Sequence, residues 1–252
     1  MSGGIFRHLD LDQDPLLLRE PIPPRILYTV PPPAASDGEP RLARLLAALN
    51  PAPERFVYIS TSGVYGDCGG ELVSESRPPA PRTPRAKRRF AAEKQLQDWC
   101  SKSGSICIIL RVPAIYGPRR LGVDRIIAGE PQILEFESNP GNRIHVDDLS
   151  AAAIAALGRS IPGGIYNVCD GDFRSPTWFA QTVARLAGLA APPLISRTAA
   201  LATLPSSRLS FLQESRRLNT RKMHDVLGVQ ARYANAEDGI RESLREDGLL
   251  GD

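Results

Sequence analysis

The sequence predicts an α/β protein built on a doubly wound, mostly parallel sheet. Short β-rich runs alternate with helical segments along most of the 252 residues, and this alternation is typical of βαβ units. Residues 106–110 form a continuous apolar run, as expected for a strand that is covered on both faces of a parallel sheet. Prolines cluster between these segments, as at residues 31–33, which indicates loops there. Ligands of such sheets bind at the C-terminal ends of the strands.

Five runs are predicted as strands. They are residues 4–11, 26–30, 56–60, 106–110 and 165–168. The first is the least regular, because only Ile5, Phe6 and Leu9 are apolar. The second is rich in β-branched and aromatic residues and is stopped by three prolines, as suits a strand end.

Five further segments are predicted as helices. They are residues 41–49, 85–99, 149–157, 178–186 and 220–227. In the first, Leu42, Leu45 and Leu46 fall on one face. The third is alanine-rich, and Gly228 follows the last one, where a glycine commonly ends a helix.

Composition limits the classes of partner. A hydrophobic content of 42% and a charged content of 23% are those of an ordinary globular protein. The net charge of +3 is too mild to indicate nucleic acid, and the basic run at residues 82–94 is short and lacks interleaved stacking aromatics apart from Phe90. No apolar run approaches the roughly 18 residues of a membrane span. We therefore predict neither a nucleic-acid nor a membrane partner.

The four cysteines are predicted to be reduced thiols of a cytoplasmic protein. They are Cys68, Cys100, Cys107 and Cys169. They have neither paired metal-ligand spacing nor the density of a secreted disulfide scaffold. No metal site is predicted from them.

Residues 56–66 carry the most informative pattern. A buried strand ends in Ser60, Thr61 and Ser62, and a turn with Gly63 and Gly66 follows. Such a turn presents hydroxyl groups at the C-terminal edge of the sheet. Four further motifs follow in order: residues 85–93 (RAKRRFAAE), 111–118 (RVPAIYGP), 143–148 (RIHVDD) and 164–168 (GIYNV).

Together these motifs resemble the NAD-dependent epimerase/dehydratase family of extended short-chain dehydrogenases/reductases, in particular its atypical bacterial branch. The resemblance covers roughly residues 26–230. It implies a Rossmann-like core at residues 1–122 and segments of a smaller C-terminal α/β substrate domain at 123–252, with 144–170 returning to the Rossmann sheet. It also implies NAD or NADP as cofactor, a small-molecule ligand such as a nucleotide sugar, and a possible homodimer.

The resemblance assigns site residues by position. The catalytic candidates are Thr61, Arg85 and Arg89, and the cofactor-binding candidates are Pro31, Pro32, Ser60, Thr61, Arg89, Val112 and Pro113. Members of the family carry tyrosine and lysine where this chain has Arg85 and Arg89. The tyrosine acts as general acid/base, whereas arginine does not release its proton near neutral pH. Two interpretations remain for these arginines: a site repurposed to bind an anion, or a solvated basic helix face, which is the usual position of such a charge run.

Two further departures concern cofactor and substrate. The first is the glycine-rich turn that binds the pyrophosphate of a dinucleotide between a strand and a helix. The sequence offers only Ser2-Gly3-Gly4, with no strand pattern before it and no helical pattern after it. Two leading βα units of about 30 residues each are expected to be absent, through either a fragmentary sequence or a shortened protein, which would leave strand 26–30 at an exposed edge. Ala114 stands where family members often carry an asparagine that reaches the diphosphate.

Other polar residues have two interpretations each. Thr61 either contacts substrate or caps the local backbone. Tyr65 and Tyr116 are substitute acids or, as we favour, packing residues. The string from His145 to Asp148 is interpreted as structural, with Asp148 as an N-cap.

The sequence leaves two functions open. The first is NAD(P)-linked chemistry on a nucleotide sugar, with weak or lost catalysis because the family's tyrosine and lysine are missing. The second is a non-catalytic module that binds a dinucleotide or another ligand.

Overall fold

The computed structural model describes residues 8–18, 21–205, 208–209 and 214–251. Ten strands lie in these ranges: β1 (Arg25–Tyr28), β2 (Arg55–Thr61), β3 (Leu72–Val73), β4 (Ile106–Val112), β5 (Ala114–Tyr116), β6 (Gln132–Ile133), β7 (Arg143–His145), β8 (Gly164–Asn167), β9 (Leu194–Ile195) and β10 (Arg217–Leu218). Eight α-helices accompany them in the same ranges: α1 (Pro40–Ala48), α2 (Pro84–Ser103), α3 (Val123–Ile127), α4 (Val146–Ala156), α5 (Pro176–Leu186), α6 (Arg197–Thr203), α7 (Arg221–Asp225) and α8 (Ala236–Glu246).

A four-stranded parallel sheet in the order β1-β2-β4-β8 forms the centre of the fold. This confirms the predicted parallel α/β class and the four predicted strands from residue 26 onward. Residues 4–7 of the first predicted strand lie outside the described residues, and residues 8–11 lie in no strand. Three separate two-stranded parallel pairs, β3 with β10, β5 with β7 and β6 with β9, complete the strands of the described residues.

The sheet is buried on both faces. Successive side chains of a strand point to opposite faces, and each face packs against its own apolar cluster. Val57 of β2 packs with Ile108 and Leu110 against α4. Phe56 and Tyr58 point the other way, into a cluster with α1 and α2. Fully burying a side chain of this size contributes about 1.5–3 kcal/mol, so the two layers together hold the sheet in place.

The helix ends follow from local sequence. In α2, the Thr83 hydroxyl accepts a hydrogen bond from the Ala86 amide at 3.2 Å, and Pro84 occupies the first turn. Gly104 ends this helix in the left-handed region at φ 77°. In α5, Ser175 caps the helix directly before Pro176. Both starts combine a hydroxyl cap with a proline whose missing amide hydrogen costs nothing there.

Strand β1 forms one edge of the sheet, as predicted. Within the described ranges it pairs with β2 alone, and its Leu27 side chain is 38% exposed. The segment before it covers the helical layer beside this edge. Leu16 is buried in the cluster of α1 and α2, and the Asp12 carboxylate pairs with Arg41 of α1 at 2.6 Å.

Across the described part of the chain, no helix combines the length and the apolar character needed to cross a membrane.

Candidate functional site

The candidate site lies where β2 and β4 end and α2 begins. The register pairs Thr61, the last residue of β2, with Val112, the last of β4. A 3₁₀ turn follows β2 and ends at Gly66, whose φ is +68°. A Cβ atom on Gly66 would lie 2.2 Å from the Ala80 carbonyl oxygen, so only glycine fits this turn.

Thr61 caps the turn that follows it. Its Oγ1 accepts a hydrogen bond from the Gly63 amide at 3.2 Å. This is the backbone-capping interpretation considered for the sequence. A hydroxyl has one donor and two acceptor positions, so the cap leaves the hydroxyl hydrogen free to contact a ligand.

Arg89 is turned towards the sheet rather than to solvent. Its Nη1 donates to the Ile59 carbonyl oxygen at 2.7 Å and to the Tyr58 hydroxyl at 3.2 Å. Lys87 and Lys94, on the same helix, are exposed. Arg85 is exposed as well. The solvated-face interpretation therefore describes Arg85 and these two lysines but not Arg89.

Arg85 lies one helical turn before Arg89 and stands in a field of several charges. Although Arg85 is exposed, partial desolvation by the atoms around its guanidinium lowers its pKa. The neighbouring Arg89 and Arg216 lower it further, while Glu214 acts in the opposite direction. Arg216 pairs with Glu214 and donates from Nε to the Gly66 carbonyl oxygen at 3.0 Å. Three guanidinium groups and one carboxylate therefore act on this end of α2, an arrangement that favours an anionic ligand.

A buried ion pair lies directly beneath the site. The Glu93 carboxylate accepts hydrogen bonds from Nη2 of Arg111 at 2.8 Å and Nε at 3.2 Å. The Ser60 hydroxyl donates to the same carboxylate at 2.5 Å. All three side chains are buried. Ser60, a predicted cofactor-binding residue, thus directs its hydroxyl into the protein.

Tyr65 continues this buried network. The Arg111 guanidinium lies over its ring, 4.7 Å from the centroid, and its hydroxyl donates to Oδ1 of Asn167 at 2.7 Å. Burial raises the pKa of Tyr65. Burial also raises the pKa of Tyr116, which packs edge-on against His145. Both side chains are buried, which agrees with the packing interpretation of these tyrosines.

The remaining predicted residues lie at the same sheet edge. Val112 is buried at the end of β4, and Pro113 after it is half-buried. Pro31 is exposed and Pro32 half-buried in the segment that follows β1. Because β1, β2 and β4 are parallel, their C-terminal ends meet at one edge. Ala114 is exposed and offers only a methyl group.

A second buried polar cluster was missed in the sequence. Arg143 is 5% exposed and donates to main-chain carbonyl oxygens of Asp172, Arg174 and Ser175, so its guanidinium is turned into the protein. Asp170 lies nearby, and its Oδ1 accepts from the Asp172 amide at 2.9 Å. Its Oδ2 is buried without a partner among the described residues. Burial raises the pKa of Asp170 to about 7.

The predicted N-cap at Asp148 is wrong. The cap of α4 is His145, whose Nδ1 accepts from the Asp147 amide at 3.2 Å. Asp148 lies within the first turn and instead accepts from the amides of Arg232 and Tyr233 at 2.8 and 3.1 Å. It therefore ties α4 to the loop before α8. The interpretation of this string as structural agrees with these contacts.

The described residues suit one half of a dinucleotide. The ends of β1, β2 and β4 form an apolar edge with the Thr61 hydroxyl and the Arg89 guanidinium beside it, which suits a nicotinamide and its ribose. A pyrophosphate group requires backbone amides at a glycine-rich turn that opens a helix. In the described ranges, no strand leads through such a turn into an α-helix.

The fold and this strand-end edge define the class of the short-chain dehydrogenases/reductases. The model of the "NAD dependent epimerase/dehydratase family" matches residues 37–169, which is more than half of the chain. The chain belongs to this family.

Individual relatives agree with this assignment. A solved structure from Silicibacter pomeroyi, described as a functionally unknown conserved protein, is 31% identical, with a TM-score of 0.77 over 89% of this chain and 77% of that one. The dTDP-D-glucose 4,6-dehydratase of Mus musculus is 28% identical over 131 residues, which are 48% of this chain and 37% of that protein. The chain thus matches little more than a third of the length of this dehydratase.

A more distant solved structure shows the same fold. It is the UDP-glucuronic acid 4-epimerase of Bacillus cereus in complex with NAD, 19% identical with a TM-score of 0.66 over 84% of this chain and 67% of the epimerase.

Proposed function

We propose that the chain binds a nucleotide sugar, or a related anionic ligand, at the ends of β1, β2 and β4, beside the nicotinamide half of NAD or NADP. Catalysis is weak or lost in this proposal. The UDP-glucuronic acid 4-epimerase that shares the fold binds NAD, and the mouse relative is named for a dTDP-sugar. The guanidinium cluster at the start of α2 provides the matching positive charge.

The position of Arg89 carries the proposal. Its guanidinium is held by the Ile59 carbonyl oxygen and the Tyr58 hydroxyl, at the place where the resemblance implies the family's lysine. It remains charged near neutral pH and donates hydrogen bonds, so it can hold a ribose or a phosphate. In the family, the lysine at this position also lowers the pKa of the catalytic tyrosine. Arg89 has no such role here, because Arg85 stands at the tyrosine position.

The residues of this chain would divide the work as follows. NAD or NADP, when bound, supplies hydride acceptance or donation. Thr61 would orient the reacting oxygen of a ligand through its free hydroxyl hydrogen. Arg85 would bind the negatively charged group of the ligand at the start of α2. Val112 and Pro113 would exclude water from the apolar edge. Turnover is expected to be slow because Arg85 stands at the position where the resemblance implies the family's general acid, a tyrosine.

The proposal includes three further statements. The chain divides into a Rossmann-like core at residues 1–122 and substrate-domain segments at 123–252, with 144–170 returning to the sheet. The protein is cytoplasmic, in keeping with its four free cysteines. It forms a homodimer, as a property that the family resemblance implies.

The alternative function is a non-catalytic module that binds a dinucleotide or another ligand at the same edge.

Arg85→Ala is expected to weaken binding of a nucleotide sugar by about tenfold to a hundredfold, since a charge-assisted hydrogen bond contributes roughly 1.5–3 kcal/mol. Titration calorimetry with UDP-glucose, dTDP-glucose, NAD and NADP measures this. Lys87→Ala is the matched control, because Lys87 is an exposed cation on the same helix. The absence of heat with all four compounds, or an equal loss in both variants, contradicts the proposal.

Thr61→Ala is expected to leave the rate of nicotinamide absorbance change near the background level of the unmodified protein. The reason is that a hydroxyl without a neighbouring acid contributes little to proton transfer. The assay follows NAD and NADPH with the same sugar nucleotides. Robust turnover that the Thr61→Ala variant abolishes would show that catalysis survives, and would overturn the statement that it is weak or lost.

A further inference from the structure

Two cysteines on adjacent elements bring their thiols together. Cys100 lies in the last turn of α2, and Cys107 is the second residue of β4. Gly104, in the left-handed region, reverses the chain between them, so the end of the helix lies over the start of the strand. Both side chains pack in the same apolar cluster, with Cys100 buried and Cys107 half-buried against it.

A cavity gives solutes access to this pair. It has a volume of about 390 Å³, and its lining includes both cysteines together with Gln97, Ser101 and Ile106. Cys100 is 3% exposed, and Cys107 is half-buried. The exposed side chains of Gln97 and Ser101 place the mouth of the cavity at the surface. The cavity therefore connects the protein surface with the two cysteines.

The two thiols are chemically unequal. Interaction with the Cys107 thiol lowers the pKa of Cys100, although burial acts in the opposite direction. Interaction with Cys100, together with burial, raises the pKa of Cys107. Burial raises the pKa of Cys68, and it raises that of Cys169 to about 12. Cys100 is thus the one thiol of the four whose thiolate the surroundings favour, and the thiolate is the reactive form.

We propose that Cys100 and Cys107 form a dithiol modification site, which a low-molecular-weight disulfide converts into an intramolecular disulfide. The thiolate of Cys100 attacks one sulfur of the small disulfide, whose S–S bond breaks and releases a thiolate. The mixed disulfide on Cys100 no longer carries the thiolate charge that raises the pKa of Cys107. Cys107 then loses its proton more readily, attacks Cys100 Sγ and expels the second small thiol.

Atoms and electrons balance in this exchange. The protein loses two thiol hydrogens and two electrons, and the small disulfide becomes two thiols. The product links the end of α2, whose first half carries Arg85 and Arg89, to the start of β4. This site lies at the opposite end of α2 from the candidate ligand site and does not depend on its function.

The test treats the native protein with oxidised glutathione, unfolds it under acid conditions, alkylates the remaining thiols and determines the intact mass. We expect two of the four cysteines to escape alkylation, with no glutathione retained. Trypsin cleaves after Lys94, Lys102 and Arg111, so the disulfide must appear as peptide 95–102 linked to peptide 103–111.

Three variants make the result specific. Cys107→Ser is expected to retain one glutathione on Cys100, because the second step is blocked. Cys100→Ser is expected to retain none over the same time. Cys68→Ser, which removes a buried cysteine from a different cluster, is expected to form the same linked peptides as the unmodified protein.

Other outcomes overturn the proposal. These are four alkylated cysteines in the unmodified protein, a stable glutathione adduct on it, or a link that involves Cys68 or Cys169. An adduct on Cys107 in the Cys100→Ser variant overturns the order of attack. The result for the unmodified protein decides the main proposal even where a variant fails to fold.

Discussion

Glu93→Ala is expected to destabilise the protein by about 3–5 kcal/mol, the usual cost of removing one partner of a buried ion pair. The Arg111 guanidinium, 1% exposed, would keep its charge in the interior without the two hydrogen bonds that it now makes to Glu93. The Ser60 hydroxyl would lose its acceptor as well. Urea denaturation followed by circular dichroism measures the loss as a lower midpoint with an unchanged slope.

The control for this variant is an exposed ion pair of similar length. Glu71 and Arg77 lie 2.7 Å apart with side chains that are 62% and 44% exposed. Glu71→Ala is expected to change the free energy of unfolding by less than about 1 kcal/mol. A loss below about 1 kcal/mol for Glu93→Ala would contradict the role assigned to the buried pair.

Local sequence was sufficient to predict the main sheet. The runs at residues 26–30, 56–60, 106–110 and 165–168 all correspond to strands of the parallel sheet, because β-rich composition and continuous apolarity report directly on burial between two helical layers. The end of α2 was predicted four residues too early, at Trp99. The helix continues to Ser103 because Gly104 provides the left-handed residue that stops it.

The contacts of the site depend on register, which the sequence does not reveal. The register places Ser60 directly opposite Arg111 on the neighbouring strand, and the packing of α2 brings Glu93 to both. Each residue was visible within a motif, but their meeting required the pairing of β2 with β4. The cap of α4 shows a different limit. His145 and Asp148 are both able to cap, and the packing of Asp148 against the loop at Arg232 decides between them.

The inward turn of Arg89 was also beyond the sequence pattern. A run of basic residues on a helix usually faces water, and Lys87 and Lys94 do so. Arg89 differs because the Tyr58 hydroxyl and the Ile59 carbonyl oxygen lie within its reach at the end of β2. These contacts exist only once α2 has packed against the sheet, so the local pattern of charges could not distinguish Arg89 from its neighbours.

Asp170→Asn is expected to stabilise the protein, by an amount that grows as the pH rises from about 4 to about 7. The pKa of Asp170 is raised from its ordinary value of 3.8 to about 7, because burial outweighs the favourable charge of Arg143. Between these values the unfolded chain releases the proton and the folded protein retains it, so the stability of the unmodified protein falls with rising pH. A full proton corresponds to about 1.4 kcal/mol per pH unit.

Asparagine removes this cost because it is neutral at every pH in that range. Its Oδ1 can still accept the hydrogen bond that the Asp172 amide now donates to Asp170. We expect a gain of about 1–3 kcal/mol at pH 8, below the full linkage value because a folded protein relaxes around a buried charge. Thermal and urea unfolding of both proteins at pH 4.5, 6 and 8 gives the dependence.

Asp225→Asn is the control, since Asp225 is 59% exposed and pairs with the exposed Arg221. It is expected to shift stability by less than about 0.5 kcal/mol at all three pH values. A gain for Asp170→Asn that did not change with pH would come from packing rather than from the buried carboxyl. A loss at pH 8 would mean that the ionised Asp170 carboxylate stabilises its surroundings, with Arg143 as the group that compensates its charge.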